Sequence, residues 1–237
     1  MHIPDGFLDP KMSAGMMGAA AFALAFCLSK VRAAVTAVVP AKALASAGAG
    51  ANRVMENGRR MLTGFGEQQI YKMGMVAALV FAAQMFNFPV ESGTSGHLIG
   101  GVLAAVLLGP FAGAIVISVV LAVQMFFFAD GGLIAIGANI VNMAVIGSLG
   151  CYYIYYWLKK ILPEWTAIAA ASWSSVVLAS LACALQIGLS GTIAFGTVTQ
   201  SMLRVHALIG IAEALITIAF VYLFRSMTSV ARKGEQE

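Results

Sequence analysis

Charge is what this sequence has least of. Lys and Arg number 14 and Asp and Glu 10 in 237 residues, 10% in all, where a soluble domain carries about 25%. That scarcity excludes a fully solvated globular surface. The remainder is 60% hydrophobic with a mean hydropathy of +0.90, gathered into apolar runs of about 20 residues, the length that crosses a bilayer. Cysteine is scarce as well. Cys27, Cys151 and Cys183 lie inside apolar runs without paired spacing, which argues against disulfides or a thiolate cluster and leaves small core residues. A basic n-region is missing: the first eleven residues hold Asp5, Asp9 and only Lys11, so the N-terminus reads as mature rather than as a signal peptide. No G-x-x-x-x-G-K-[ST] phosphate loop and no soluble domain are found, so the chain is expected to be no enzyme and to lack its own ATPase.

What is present is a series of apolar segments at roughly 12–36, 70–89, 96–109, 110–129, 132–158, 166–188 and 206–227. The fold expected is all-α: one transmembrane domain over 1–237, a bundle of about seven helices. The third segment is short for a span, and Gly109-Pro110 leaves almost no loop before the fourth. An outside N-terminus and seven crossings put every Lys and Arg except Lys11 and Arg204 on the inner side. That bias follows the positive-inside rule and places the C-terminus in the cytoplasm. The net charge of +4 therefore belongs to cytoplasmic loops and not to nucleic-acid binding. The stretch 37–69 reads as a long cytoplasmic loop with a short amphipathic helix around Asn52–Met61, and 228–237 as a cytoplasmic tail. The protein is expected to be multi-pass in the cell (inner) membrane.

This topology brings His2, His97 and His206 to the outer side, with Asp5, Asp9, Glu91 and Asp130. Ionisable groups near a bilayer are costly without partners and mark function by default. Position 2 gives a histidine a special option. The terminal amine, the Met1–His2 amide nitrogen and the His2 imidazole form fused five- and six-membered chelate rings. One further imidazole completes a planar four-nitrogen set suited to Ni(II) or Cu(II). A solvated terminal histidine and a helix-start histidine are the plain alternatives.

Four stretches then carry a resemblance: MHIPDGFLDP, FNFPVESGTSGHLIGGVLAAVLLGP at 86–110, FFADGGLIAIGANIVNMAVIG at 127–147 and HALIGIAEALIT at 206–217. In this order they resemble the CbiM/NikM family, the substrate-binding membrane subunits of energy-coupling-factor (ECF) transporters for cobalt and nickel. The resemblance covers nearly the whole chain apart from 37–69 and the tail. It implies capture of Ni²⁺ or Co²⁺ as substrate, with no cofactor, by the Met1 amine, the His2 amide and imidazole, and His97. It also implies partners: a transmembrane coupling subunit, cytoplasmic ABC ATPase subunits and a small accessory membrane subunit. The long 37–69 loop and Ala212, where glycine is common in the family, depart from its pattern.

Around those ligands, the residues expected to line or support the site are Asp5, Asn87, Gly93, Ser95, Gly96, Asp130, Asn139, Asn142 and His206. Gly93 and Gly96 would admit close backbone approach, and Gly100 and Gly101 close helix packing. Asp130 would orient a ligating histidine or cap the next helix. Asn139 and Asn142 share one helix face and would knit helices around the site or fix the N-terminal loop. Glu213 requires a partner, whether in a structural hydrogen bond, a proton-linked step of release or a contact with the coupling subunit. Two rival classes are a secondary transporter or channel for a divalent metal, and an intramembrane hydrolase using Ser95 beside His97. Nickel and cobalt are not distinguished.

Overall fold

Asp9 and Pro10 begin the first helix. The Asp9 carboxylate accepts from Lys11 N (2.8 Å) and Met12 N (3.1 Å), and Pro10 at the first helical position forfeits no bond. Those backbone donors hold the Asp9 carboxyl below its ordinary range. Helix α1 runs Pro10–Val35. The structure, a computed structural model, describes residues 2–39, 59–85, 87–90 and 94–234.

Beyond α1, β1 (Thr36–Val39) pairs antiparallel with β2 (Arg59–Leu62). Thr63 caps α2 (Gly64–Gln84) through Gly66 N. Two expectations change here. Residues 64–69 belong to a helix and not to the long loop, and 59–61 lie in a strand where an amphipathic helix was expected; 52–58 fall outside the described residues. A second hairpin, β3 (Asn87–Val90) with β4 (Thr94–His97), sets Asn87 opposite His97. The bundle is helical as expected, and two short hairpins lie in the connections between its helices.

Helix α3 (Gly101–Leu108) has eight residues, about 12 Å of rise, too short to cross a bilayer. Gly109, at φ 88°, turns the chain into α4 (Pro110–Phe128), again with proline at its start. Helix α5 (Ile136–Leu158) contains a π-helical stretch, Val141–Gly150. Helices α6 (Glu164–Leu189) and α7 (Phe195–Gly234) complete the chain. Seven helices are thus present among the described residues, and five of them, α1, α4, α5, α6 and α7, are long and apolar enough to span a membrane. The seventh begins eleven residues before His206, because Thr197, Thr199, Gln200, Ser201 and Arg204 dilute its apolar pattern.

Ile99, Ile117, Leu121, Met143 and Ile187 centre the core. Large apolar side chains such as Phe22, Phe126, Phe127, Leu189 and Leu208 face outward, as a hydrocarbon solvent permits. At the α5–α6 connection, Lys159 and Lys160 lie over Tyr155 and Trp157 at 4.7 and 4.0 Å. Arg225 donates to Glu164 (2.8 Å), which also accepts from Tyr155 Oη. This basic and aromatic end suits a membrane interface. The opposite end of α5 gathers the N-terminal strap, the 129–135 turn and the α6–α7 turn.

Candidate metal-binding site

The strap before α1 is bound by backbone groups more than by side chains. Ile3 is fully buried; its N–H donates to Asn139 Oδ1 (2.8 Å), and its carbonyl accepts from Asn139 Nδ2 (3.2 Å) and Gly132 N (2.9 Å). One asparagine side chain thus reads both faces of one residue, as a β-partner would. The Asp5 carboxylate accepts from Leu133 N (3.0 Å), Ile134 N (2.8 Å) and Ala135 N (3.3 Å). These donors lead into α5, where a helix start leaves N–H groups unpaired and favours negative charge. Thr192 Oγ1 donates to Phe7 O (2.8 Å), fixing the far end of the strap to the α6–α7 turn.

Gly132 makes this docking possible, because a Cβ there would run into the Asp5 carboxylate. Gly132→Ala is expected to weaken docking by about 2 kcal/mol through steric displacement and the lost bond to Ile3. Limited proteolysis of the metal-free chain should then cut the strap about 30-fold faster.

Docking inserts His2 into the protein. It is 3% exposed and stacked on His97, ring centroids 4.6 Å apart at 29°. Burial pulls its pKa down to about 3, so the ring is neutral. Its Nε2 stands 3.7 Å from Asp130 Oδ2, a polar contact rather than an ion pair when the imidazole carries no charge. Burial also raises the Asp130 carboxyl. Gly131, at φ 96°, lies against the ring: its absent Cβ would stand 3.0 Å from His2 Nδ1.

His97 is fully buried. Its Nδ1 lies 2.6 Å from Leu98 O; since a carbonyl only accepts, Nδ1 carries the proton and Nε2 is a free lone pair. A histidine oriented through its other nitrogen in this way is prepared to ligate a metal. His206 repeats the arrangement, with Nδ1 2.8 Å from Met202 O. The Nε2 atoms of His2, His97 and His206 are buried and lack hydrogen-bond partners, although buried polar atoms are nearly always paired. Among the described residues, no three His, Cys, Asp or Glu side chains converge on one point. The donors assembled are imidazoles and backbone, a nitrogen set suited to late divalent transition metals and unlike the oxygen cages of Ca²⁺ or Mg²⁺.

The expected lining residues divide. Asp5, Asp130 and Asn139 act at the strap, and Gly96 directly precedes His97 in β4. His206 lies about three turns inside α7 and not at a helix start. Asn87 and Ser95 lie in the β3–β4 hairpin, while Met1 and Gly93 fall outside the described residues. Asn142 exchanges two hydrogen bonds with Gln186 (2.8 and 2.7 Å) and so knits α5 to α6, while the strap is held by Asn139. The π-helical stretch starts between Asn139 and Asn142, and the two amides serve different partners. Sequence reasoning missed Gly132, Ile3 and Gln84, whose Nε2 donates to Ile99 O (2.6 Å). Their contacts are long-range backbone bonds that leave no local pattern.

The profile of the CbiM family, described as a cobalt uptake substrate-specific transmembrane region, matches residues 39–230. A relative from Archaeoglobus fulgidus that carries the name of a fused nickel transport protein, NikMN, is 34% identical over 223 residues, 93% of this chain and 64% of that protein. The chain thus spans somewhat under two thirds of that relative's length. The cobalt transport protein CbiM of Sorangium cellulosum is 32% identical over 162 residues, 65% of this chain and 72% of its own length. A crystal structure described as a transition metal transporter superposes with a TM-score of 0.79 at 28% identity, covering 96% of this chain and 93% of that one. With the family profile spanning most of the sequence and the helical bundle shared with a metal transporter, this multi-pass membrane protein belongs to the CbiM/NikM family of cobalt and nickel transport proteins.

Proposed function

We propose that the chain is the substrate-capture subunit of an ECF-type ABC importer in the cell (inner) membrane, taking Ni²⁺ or Co²⁺ from outside. With Met1 as the mature N-terminus, the ligands are its amine, the His2 amide nitrogen and imidazole, and His97 Nε2. The observation that carries this reading is the stacking of buried His2 on His97, with the Nε2 of each ring lacking a hydrogen-bond partner. Docking of the strap through Ile3 and Asp5 closes the site, and the Nδ1–H bond to Leu98 presents the His97 lone pair. Metal in place of a proton on the amide completes a planar nitrogen set. Uptake is driven by a separate coupling subunit and ABC ATPase subunits, with a small accessory membrane subunit, and the chain itself is not an enzyme.

Calorimetry on the full chain, tagged only at its C-terminus, tests the ligand set. His97→Ala should lower affinity for Ni²⁺ and Co²⁺ about 100-fold, since losing a ligand costs at least as much as losing a residue that orients one. Unchanged binding would withdraw His97. The rival reading as a secondary transporter or channel predicts metal flux into vesicles holding this chain alone. The importer reading predicts flux only when ATP and the other subunits are supplied.

A further inference from the structure

Glu213, on α7, is 2% exposed and forms no ion pair among the described residues. Both of its oxygens are taken by backbone: Oε2 accepts from Ile99 N (2.9 Å) and Oε1 from Gly100 N (2.7 Å). These are the second and third residues past His97. Helix α2 holds the same turn from another side through the Gln84 bond to Ile99 O. Gly100 adopts φ 69°, with the Val80 methyls 2.9 and 3.0 Å from where a Cβ would stand.

One of these bonds has a particular geometry. The Ile99 N–H and the Leu98 C=O belong to a single peptide unit, which is planar and rigid. Its N–H end is held by Glu213, and its C=O end receives the His97 Nδ1–H at 2.6 Å. A carboxylate therefore reaches the metal-facing imidazole through one peptide plane. The charge-assisted bond at the N–H both orients the plane and polarises its carbonyl toward the imidazole proton, as chained hydrogen bonds do. A second bond, to Gly100 N, stops the plane from rotating. A structural need alone does not require a charge here, since an amide or hydroxyl satisfies a buried N–H at lower desolvation cost.

We propose that Glu213 is a positioning residue for metal capture, fixing the direction and tautomer of His97 through the Leu98–Ile99 peptide. This rests on His97 being a ligand, as proposed above. It also makes α7 the element whose displacement turns His97 away from the metal.

A double-mutant cycle separates this role from a general contribution to the fold. Ni²⁺ affinity is measured by calorimetry on the full chain, Glu213→Gln, His97→Ala and the double variant. Glutamine keeps the shape but has one acceptor for two N–H groups. It should cost about 10–100-fold, the usual effect of removing a group that orients a metal ligand, and no more than about twofold when His97 is already alanine. Should Glu213→Gln not fold, Glu213→Asp, which withdraws the carboxylate by one methylene, takes its place in the cycle. Equal losses in both backgrounds, or no loss in the wild-type background, would overturn the proposal. A His97→Ala chain that binds normally would instead defeat the ligand reading, a distinct result.

Discussion

Extending the chain by Gly-Ser-Gly ahead of Met1 is expected to lower Ni²⁺ affinity about a thousandfold, or about 4 kcal/mol. Every side chain is retained, so the loss would belong to the α-amine alone. The proposed chelate uses that amine as one end of a five-membered ring whose other end is the Met1–His2 amide nitrogen. In the extended chain the position is occupied by a second amide, a far poorer donor at neutral pH. Burial sharpens the effect, because the strap carries His2 into a pocket where it is 3% exposed and water cannot easily replace the missing ligand. The length of the extension matters. A single residue placed before Met1, or between Met1 and His2, would put histidine third in the chain. An amine, two amides and that imidazole would then make a complete four-nitrogen set without His97. Such a chain should bind Ni²⁺ even as the His97→Ala variant, which gives the ligand count an internal control. Calorimetry of the extended protein decides the matter: wild-type affinity would mean that the amine is not a ligand and that the metal sits between imidazoles only.

The membrane bundle was legible because bilayer thickness imposes one length on every span, and α1, α4, α5 and α6 end within four residues of the expected limits. Local chemistry was legible too: the Gly109-Pro110 break separates α3 from α4. Periodicity failed where polarity interrupts a helix, as at Thr197–Arg204 in α7. It also failed where backbone hydrogen bonding changes class, as in the π-helical stretch that sends Asn139 to Ile3 and Asn142 to Gln186. The short hairpin ending at His97 looked like a polar loop, since Pro89, Gly93 and Gly96 are turn residues in most settings. His2 and His97 could be paired in advance through the family resemblance, which singled them out of three histidines expected on one side. What joins them could not. Asn139 was among the expected supports, but Gly132 and Glu213 act on backbone atoms distant in sequence, and a carboxylate seven residues past His206 gives no hint that it grips the peptide next to His97.

In the metal-free chain, acid is expected to release the strap, and the sign follows from His2. Docked, its pKa is about 3, lowered by burial; undocked, it returns toward 6.5. Above pH 6.5 both forms are neutral and docking keeps its full strength. Below it the free strap binds a proton that the docked strap refuses, so docking loses about 1.36 kcal/mol per pH unit. At pH 4.5 the loss is about 3 kcal/mol, about 100-fold in the docking equilibrium, and it reaches about 4 kcal/mol near pH 3. Asp130, beside the ring, works in the opposite direction, because burial raises its carboxyl and a protonated Asp130 is better tolerated in the docked state. It therefore blunts the acid end of the curve without moving its onset. The Ile3 N–H, donated to Asn139 Oδ1, reports docking directly through hydrogen exchange. Its protection should fall about tenfold per unit between pH 6 and pH 4.5, relative to His2→Phe, which keeps an aromatic ring against His97 and cannot titrate. Equal protection in the two proteins across that range would mean that His2 does not enter the pocket in neutral form. Release by acid would act on the apo strap alone, since bound metal occupies the nitrogens that a proton needs; a loaded chain should hold its strap to lower pH than an empty one.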